Sequence, residues 1–341
     1  MTNHHKNFVI FGGTGSLGKE IVKYLIEESK IAQPKEITVV SRDEQKHYAF
    51  RMSSLGVNCN NVVHDIRDAD SLYDIIKNKD VVINCAAMKH ISMCESDCWE
   101  AIKTNVHGVY NILKAVQQCE RPSVFVNIST DKAPEATTLY GATKFLGEGL
   151  IRNFADNDFN HMYYSVRYGN VIMSKGAAFN KFVELAKNNQ AIYVTDERMT
   201  RFAMLFSEAV ELIMLAAIYK AAPSGSIFIP QKLPSFKVMD LAHVIVEELN
   251  SDSPVYVGSG ISKGEKIHEV LLSQTECYDS NVKSLNYVSK SINHIPMAYV
   301  YTQHFEHRDS NVIEYRSDNE KFLMSKEQLR EYIRNAKLLD A

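Results

Sequence analysis

The sequence predicts an α/β fold: a doubly wound parallel sheet with a smaller, mixed C-terminal lobe. Three observations carry this. Short runs rich in Val, Ile and Phe alternate with segments of helical period through the first half of the 341 residues. A glycine-rich turn stands between the first such run and the first helical segment. Beyond Arg167 the alternation loosens, interrupted by Gly169, Gly176, Pro223, Pro230 and Pro234. Apolar strands alternating with helices are the pattern of a parallel sheet covered on both faces.

The elements follow in order. Residues 8–11 (FVIF) are the first strand and 19–28 the helix after it. The second strand is 36–41 (EITVVS), and a weaker third is 61–64 (NVVH). The fourth is 80–85 (DVVINC), the fifth 123–129 (SVFVNIS) and the sixth 162–167. Between the fourth and fifth, residues 100–118 place Ile102, Val106, Val109, Ile112 and Leu113 on one helical period. Later helices are expected near 180–187, 207–220, 238–249 and 325–336. No internal repeat or low-complexity linker interrupts the chain. The order suits a Rossmann domain over 1–171, rejoined by about 203–228, with a substrate-binding lobe from 172–202 and 229–341.

A 45% hydrophobic content supplies a sizeable core, and a net charge of −3 gives no global signal for nucleic acid or an anionic membrane. No apolar run approaches the roughly 20 residues of a membrane span. A soluble, cytoplasmic protein is therefore expected. Cys59, Cys85, Cys94, Cys98, Cys119 and Cys277 form no C-x-x-C pair, and no H-E-x-x-H occurs. Free thiols in a reducing compartment, and no metal centre, follow.

The first strand runs into Gly12-Gly13-Thr14-Gly15-Ser16-Leu17-Gly18 and then a helix. Glycines there permit a tight turn and let backbone N–H groups approach a pyrophosphate, and the last lets helix and strand pack closely. This predicts a bound dinucleotide. The second strand ends in Ser41-Arg42-Asp43-Glu44. An arginine there pairs with the 2′-phosphate of NADP, whereas a carboxylate binds the ribose diol of NAD. Ser41 and Arg42 come first and favour NADP, while Asp43 keeps NAD open. Asp65 and Ile66 follow the third strand. Asp65 is a candidate for the adenine amino group, and Asp68 for capping the next helix. Ala86 and Ala87, ending the fourth strand, are small enough for a cofactor to lie against the backbone, and Lys89-His90 follow.

Tyr140 and Lys144 are four apart, on one face of a helix. A nearby ammonium stabilises a phenolate, so the pair can serve as a base. Thr130-Asp131-Lys132 lies just before it, directly after the fifth strand, at the sheet edge where α/β proteins bind ligands.

These blocks, with Arg167-Tyr168-Gly169-Asn170-Val171, Arg198-Met199-Thr200-Arg201-Phe202, Gly264-Glu265-Lys266-Ile267-His268-Glu269 and Tyr315–Asn319, resemble the extended short-chain dehydrogenase/reductase family. Within it they resemble the UDP-N-acetylglucosamine 4,6-dehydratases, notably the C5-inverting type. Lys132 stands where the glucose-specific dehydratases carry Glu. Retaining members often carry membrane segments, and the lack of one favours inversion.

The resemblance implies chemistry. Tyr140 takes the C4 hydroxyl proton as hydride passes to the cofactor, Thr130 holds the C4 oxygen, and Lys144 binds the nicotinamide ribose and lowers the pKa of Tyr140. Lys132, partly neutral beside other cations, removes the C5 proton, and protonated Asp131 donates to the leaving C6 hydroxyl. Asn105 bridges through water to Lys144. Tyr168, Asn170 and Val171 join the cofactor site, as does Lys89. Lys89, His90, Asn170, Asn180, Arg198, Thr200, Arg201, Lys263 and Glu265 are the implied contacts of UDP-N-acetylglucosamine, with Glu265 on the uridine ribose. Arg198 and Arg201 read equally as surface ion-pair partners. Ser262-Lys263 replaces the usual arginine-containing pair, so a point charge stands in for a bidentate fork. A homo-oligomer pairing through 100–118 and 143–153 is also implied. The rival readings are a UDP-hexose 4-epimerase, a C5-retaining dehydratase and a non-catalytic NADP sensor.

Overall fold

The computed structural model describes the chain apart from residues 1–5, 28–33, 54–58, 175, 219–221, 231, 259, 262–263, 280, 286–297, 303–313 and 341. Lys263 lies outside the described residues.

The first half runs β1 (Lys6–Phe11), α1 (Ser16–Glu27), β2 (Pro34–Ser41), α2 (Glu44–Ser53), β3 (Cys59–Val63), α3 (Leu72–Ile76), β4 (Val81–Asn84), α4 (Ile91–Ser96), α5 (Cys98–Ile102), α6 (Gly108–Gln117), β5 (Val124–Ile128), α7 (Leu139–Asn157) and β6 (Met162–Val166). The second half continues with α8 (Ala178–Lys187), β7 (Ile192–Val194), β8 (Thr200–Phe202), α9 (Phe206–Ile218), β9 (Ile227–Pro230), β10 (Ser235–Lys237) and α10 (Val238–Glu248). It ends with β11 (Val255–Val257), β12 (Val270–Leu272), α11 (Gln274–Asp279), β13 (Asn281–Leu285), β14 (Ala298–Thr302), β15 (Tyr315–Arg316) and α12 (Lys326–Asn335).

Among the described residues the main sheet has the order β13-β14-β9-β6-β5-β4-β1-β2-β3. From β3 to β9 every pairing is parallel. The alternation of side chains along a strand sorts the core into two layers. Phe8, Ile10, Val81, Ile83, Val124 and Val126 pack with Ile21 and Leu25 of α1 and Val210 and Ile213 of α9. Val9, Phe11, Val82 and Phe125 pack on the other face with α3, α6 and α7 through Ile76, Ile112 and Ile151. A third cluster joins α8, α10 and α12 through Phe179, Phe182, Leu241, Ile245, Leu329 and Ile333.

Two sequence expectations change. β13 and β14, from chain assigned to the substrate-binding lobe, pair antiparallel on the β9 edge and extend the main sheet. The helix expected over 100–118 is α5, a π-helical turn (Lys103–His107) and α6. The apolar period survives the wider turn, which is why the pattern did not show it.

Candidate active site

The loops after β1, β2, β4, β5 and β6 meet at the carboxyl edge of the sheet, where the strand order reverses between β1 and β4. Such a switch point is where open α/β sheets bind ligands. Gly12 has φ +73°, and a Cβ there would lie 2.7 Å from the backbone N of Ala86. Only glycine lets the two loops close so tightly. The N-terminus of α1, preceded by Gly12–Gly15, forms the cradle that a pyrophosphate requires. These residues fit a dinucleotide.

At the end of β2, Thr14 donates to Ser41 Oγ at 2.8 Å, and Ser41 meets the buried His47 ring at 2.9 Å. Arg42 is 63% exposed and 3.9 Å from Asp65. Asp43 is committed to Lys46, by ion pair at 2.7 Å and by the backbone N–H. Both oxygens of Asp65 are taken by the Arg67 guanidinium, at 3.0 and 2.9 Å, which holds its carboxyl below the usual range against the opposing effect of burial. Its carboxylate is therefore engaged by Arg67. Ile66 is buried against Gly108, and Asn111 donates to the Ile66 and Arg67 carbonyls at 3.0 and 3.1 Å. Asp68 accepts from the Asp70 N–H inside a turn and does not cap α3.

Thr138 caps α7 by accepting from the Gly141 N–H at 3.0 Å. The first turns of the helix then present Tyr140 and Lys144. Lys144 is buried and donates to the Ile128 carbonyl at 2.8 Å, and burial pulls its ammonium down to about 8. Burial pushes the Tyr140 phenol up to about 12, and the cation that most opposes this is Lys132, helped by a hydrogen bond with Thr130. Lys144, four residues along the same helix, is the expected source of that help; Lys132 provides it instead. Asn105 is clamped elsewhere: it accepts from the Met88 N–H at 2.8 Å and donates to the Met88 carbonyl at 2.9 Å and to Thr143 Oγ1 at 3.0 Å. The π-helical turn aims it so. The bond to Thr143 ties α7 to the loop after β4, which carries Ala86 (its N–H on Asn84 Oδ1 at 3.1 Å) and Ala87.

Beside Tyr140, Thr130 Oγ1 donates to Asp131 Oδ1 at 3.0 Å. Lys132 Nζ donates to the same oxygen at 3.0 Å, pairs with Glu269 at 2.9 Å and reaches Asn170 Oδ1 at 3.5 Å. Burial pulls the Lys132 ammonium down, but Asp131 and Glu269 outweigh it and hold it above the ordinary lysine range. The expectation of a partly neutral Lys132 among cations is thus overturned: carboxylates flank it. Burial raises the Asp131 carboxyl. Burial would raise Glu269 too, but Lys132 and Arg201 outweigh it and hold the carboxyl down.

The remaining residues scatter around this centre. The Tyr168 carbonyl accepts from the Asp131 N–H at 3.0 Å, and Val171 bridges to Met204. Lys89 and His90 are exposed on the rim, with the His90 ring close to Gly176. Arg201 donates to the Thr200 and Ile267 carbonyls and stands 3.6 Å from Glu269. Thr200 is buried and committed to His268 and Ser317. Asn180 donates to the Met173 and Ser174 carbonyls, and Arg198 pairs with Asp196 on the surface. Glu265 is half-buried near Thr137, which donates to the Gly264 carbonyl. Among the described residues no cluster of His, Cys, Asp or Glu can hold a metal ion, and no helix is long and apolar enough to cross a membrane.

Sequence reasoning missed Glu269 and the fully buried Arg167. Arg167 binds Glu148, one turn beyond Lys144, at 3.0 and 2.5 Å, and Glu276 of α11 at 3.0 and 2.9 Å. Both belonged to recognised sequence blocks. Only contact with residues far along the chain marks them as parts of the site's frame.

A family model described as polysaccharide biosynthesis protein matches residues 8–290. The chain is 38% identical to an inverting UDP-N-acetylglucosamine 4,6-dehydratase of Campylobacter jejuni, over 80% of this chain and 79% of that one. It is 33% identical to a UDP-glucose 4-epimerase of Rickettsia bellii over the same shares. The crystal structure of Pen from Bacillus thuringiensis superposes with a TM-score of 0.85 at 32% identity, covering 99% of both chains. The matched residues take in the glycine loop, the Thr130–Lys132 triplet and the Tyr140–Lys144 pair, so the chain belongs to the polysaccharide biosynthesis protein family, within the extended short-chain dehydrogenases/reductases.

Proposed function

We propose that this protein is a UDP-N-acetylglucosamine 4,6-dehydratase that inverts C5 and works with tightly held NADP. The observation that carries the reading is the ion pair of buried Asp131 with half-buried Lys132, beside Tyr140 and Thr130. A sugar oxidised at C4 loses water only if one group handles the C5 proton and another protonates the C6 oxygen. This pair supplies both.

A nicotinamide dinucleotide held by the Gly12–Gly18 loop would supply the hydride acceptor for C4 and the hydride donor for C6. Tyr140 takes the C4 hydroxyl proton while Thr130 holds the oxygen. Asp131, whose carboxyl burial raises, gives its proton to the departing C6 hydroxyl. Lys132 removes the C5 proton once it has given up its own, so its active form grows as pH rises. Proton return to C5 from the opposite face gives the L-configured 4-keto-6-deoxy sugar. Arg42, exposed beyond β2 while Asp43 is occupied by Lys46, supports NADP over NAD. Lys89, His90 and Asn170 line the sugar side. Arg201, Glu265 and Lys263 serve the nucleotide side. The 4-epimerase relatives keep a second reading in view, but epimerisation needs no elimination pair.

The test is incubation of the purified protein with UDP-N-acetylglucosamine in D₂O, followed by NMR. A 4-keto-6-deoxy product of L configuration, deuterated at C5, is expected, and the cofactor released on denaturation should carry a 2′-phosphate. A sugar epimerised at C4 with no ketone released would reject the dehydratase in favour of the epimerase. A D-configured product would reject inversion alone.

A further inference from the structure

Glu269 immediately precedes β12 and lies behind Lys132, only 2% exposed. Its backbone is bolted to β15's neighbour Ser317: the Glu269 N–H donates to Ser317 Oγ at 2.9 Å, and its carbonyl accepts the Ser317 N–H at 2.9 Å. Its Oε1 takes Lys132 Nζ at 2.9 Å, and Lys132 holds Asp131 Oδ1 at 3.0 Å. The two carboxyl groups therefore flank one ammonium, their bridged oxygens within about 6 Å, two hydrogen-bond lengths. Asp131 Oδ2 and Glu269 Oε2 are both buried without a hydrogen-bond partner. The Lys132 side chain is 20% exposed, against 3% for Glu269, so Lys132 is the face that a substrate meets.

We propose that Glu269 is a positioning residue for the elimination: its carboxylate, paired with Lys132, keeps Asp131 a neutral acid able to release the C6 hydroxyl as water. This rests on the dehydratase reading. In that step the C5–H and C6–O bonds break and the C5–C6 double bond forms. Lys132 takes the C5 proton, and the Asp131 proton leaves with the C6 oxygen. An unshared ammonium at 3.0 Å would favour ionised Asp131. Glu269 divides that charge and adds a negative field of its own. The other titratable groups that interact with the pair are Arg201 and Lys266 about Glu269, and Lys266, Tyr140 and Tyr168 about Asp131. Lys266 is anchored on the Pro134 carbonyl at 2.8 Å and Arg201 on the Thr200 and Ile267 carbonyls, so neither displaces Glu269 from Lys132.

Removing the Glu269 charge has opposite effects on the two halves of the reaction. Asp131 ionises more readily, which starves water loss, and Lys132 loses its proton more readily, which helps C5 deprotonation. With the purified holoenzyme and UDP-N-acetylglucosamine in D₂O, Glu269→Gln should exchange the C5 proton at least as fast as the parent. At about one pH unit above its lowered Asp131 midpoint it should release product about tenfold more slowly than at low pH, following the fraction of Asp131 still protonated. Glu269→Asp, which keeps the charge, should restore release. Carboxyl ¹³C titration of aspartate-labelled protein, with Asp131 assigned through Asp131→Asn, reads the same effect without substrate. Asp131 should stay protonated through neutral pH in the parent, and its midpoint should fall by about one unit or more in Glu269→Gln.

A purely structural Glu269 would slow exchange and release by the same factor, and that result overturns the proposal. If Glu269→Gln does not fold, the parent titration decides alone, since an Asp131 that ionises in the ordinary carboxylate range also overturns it. A parent that forms no ketone sinks the dehydratase reading and leaves the Asp131 titration standing.

Discussion

Lys144 is buried with its ammonium on a single backbone carbonyl, that of Ile128, and burial brings it down to about 8. The unfolded chain keeps this group near the ordinary lysine value of about 10.4. Between these values the unfolded state binds more protons, so the contribution of Lys144 to stability rises with pH across that window. Below pH 8 both states are charged and the burial penalty is full. Lys144→Met should therefore abolish hydride transfer yet stabilise the fold by about 1–2 kcal/mol at pH 7. Calorimetry should show that gain shrinking as pH approaches 10; an unchanged gap would mean that burial has not lowered the Lys144 ammonium in the fold. Lys132 is the opposite case. Its identity and position next to Asp131 were plain in the chain, but its charge depends on Glu269, a residue that spacing could not bring to it.

At the scale of the element, α7 explains why the Tyr140–Lys144 stretch contains glycine. A Cβ at Gly141 would lie 2.3 Å from the Lys132 carbonyl oxygen. The helix thus packs its first turn directly on the backbone that carries Lys132, and Thr138 locks the start by capping. Gly141→Ala cannot be absorbed by a flexible side chain, because the opposing atom is backbone. Chemical denaturation should show a loss of about 2–3 kcal/mol, in the range of overpacking. Turnover should fall far more than substrate affinity, because Lys132 and Tyr140 are pushed apart. A variant with parental kcat would separate the glycine from the chemistry. The π-helical turn before α6 is the second case. Periodicity placed a helix there correctly, while the extra residue that turns Asn105 onto Met88 leaves no mark on an apolar pattern.

At the scale of the molecule, α5, α6 and α7 leave an apolar face uncovered: Trp99 is 57% exposed, Tyr110 42%, Phe145 47% and Leu146 52%. An added Cβ at Gly149 would meet nothing within 4 Å, so this face has room for a close helix. A two-fold dimer across it, the pairing that the resemblance implies, is the expected state in solution. Sedimentation should give a dimer for the parent and a monomer for Leu146→Glu, with the monomer still folded; a Leu146→Glu dimer would place the interface elsewhere. The opposite edge of the sheet is closed differently, by β14 and β13 added antiparallel to β9. Strand propensity alone could not assign those late segments to the main sheet, since β14 pairs with Pro230 and its neighbours 68 residues before Ala298, and β13 joins only through β14.

The amino-acid sequence by itself determined the parallel strands, the glycine loop, the helix that carries Tyr140 and Lys144, and the placing of Thr130–Lys132 at a strand end. These are set by residue type and short spacing, which act within a turn or a strand. The tertiary structure alone decided which groups are charged. Glu269 reaches Lys132, and Glu148 and Glu276 reach Arg167, only after folding. Protonation follows from burial and from such distant partners, which residue type and short spacing do not bring together.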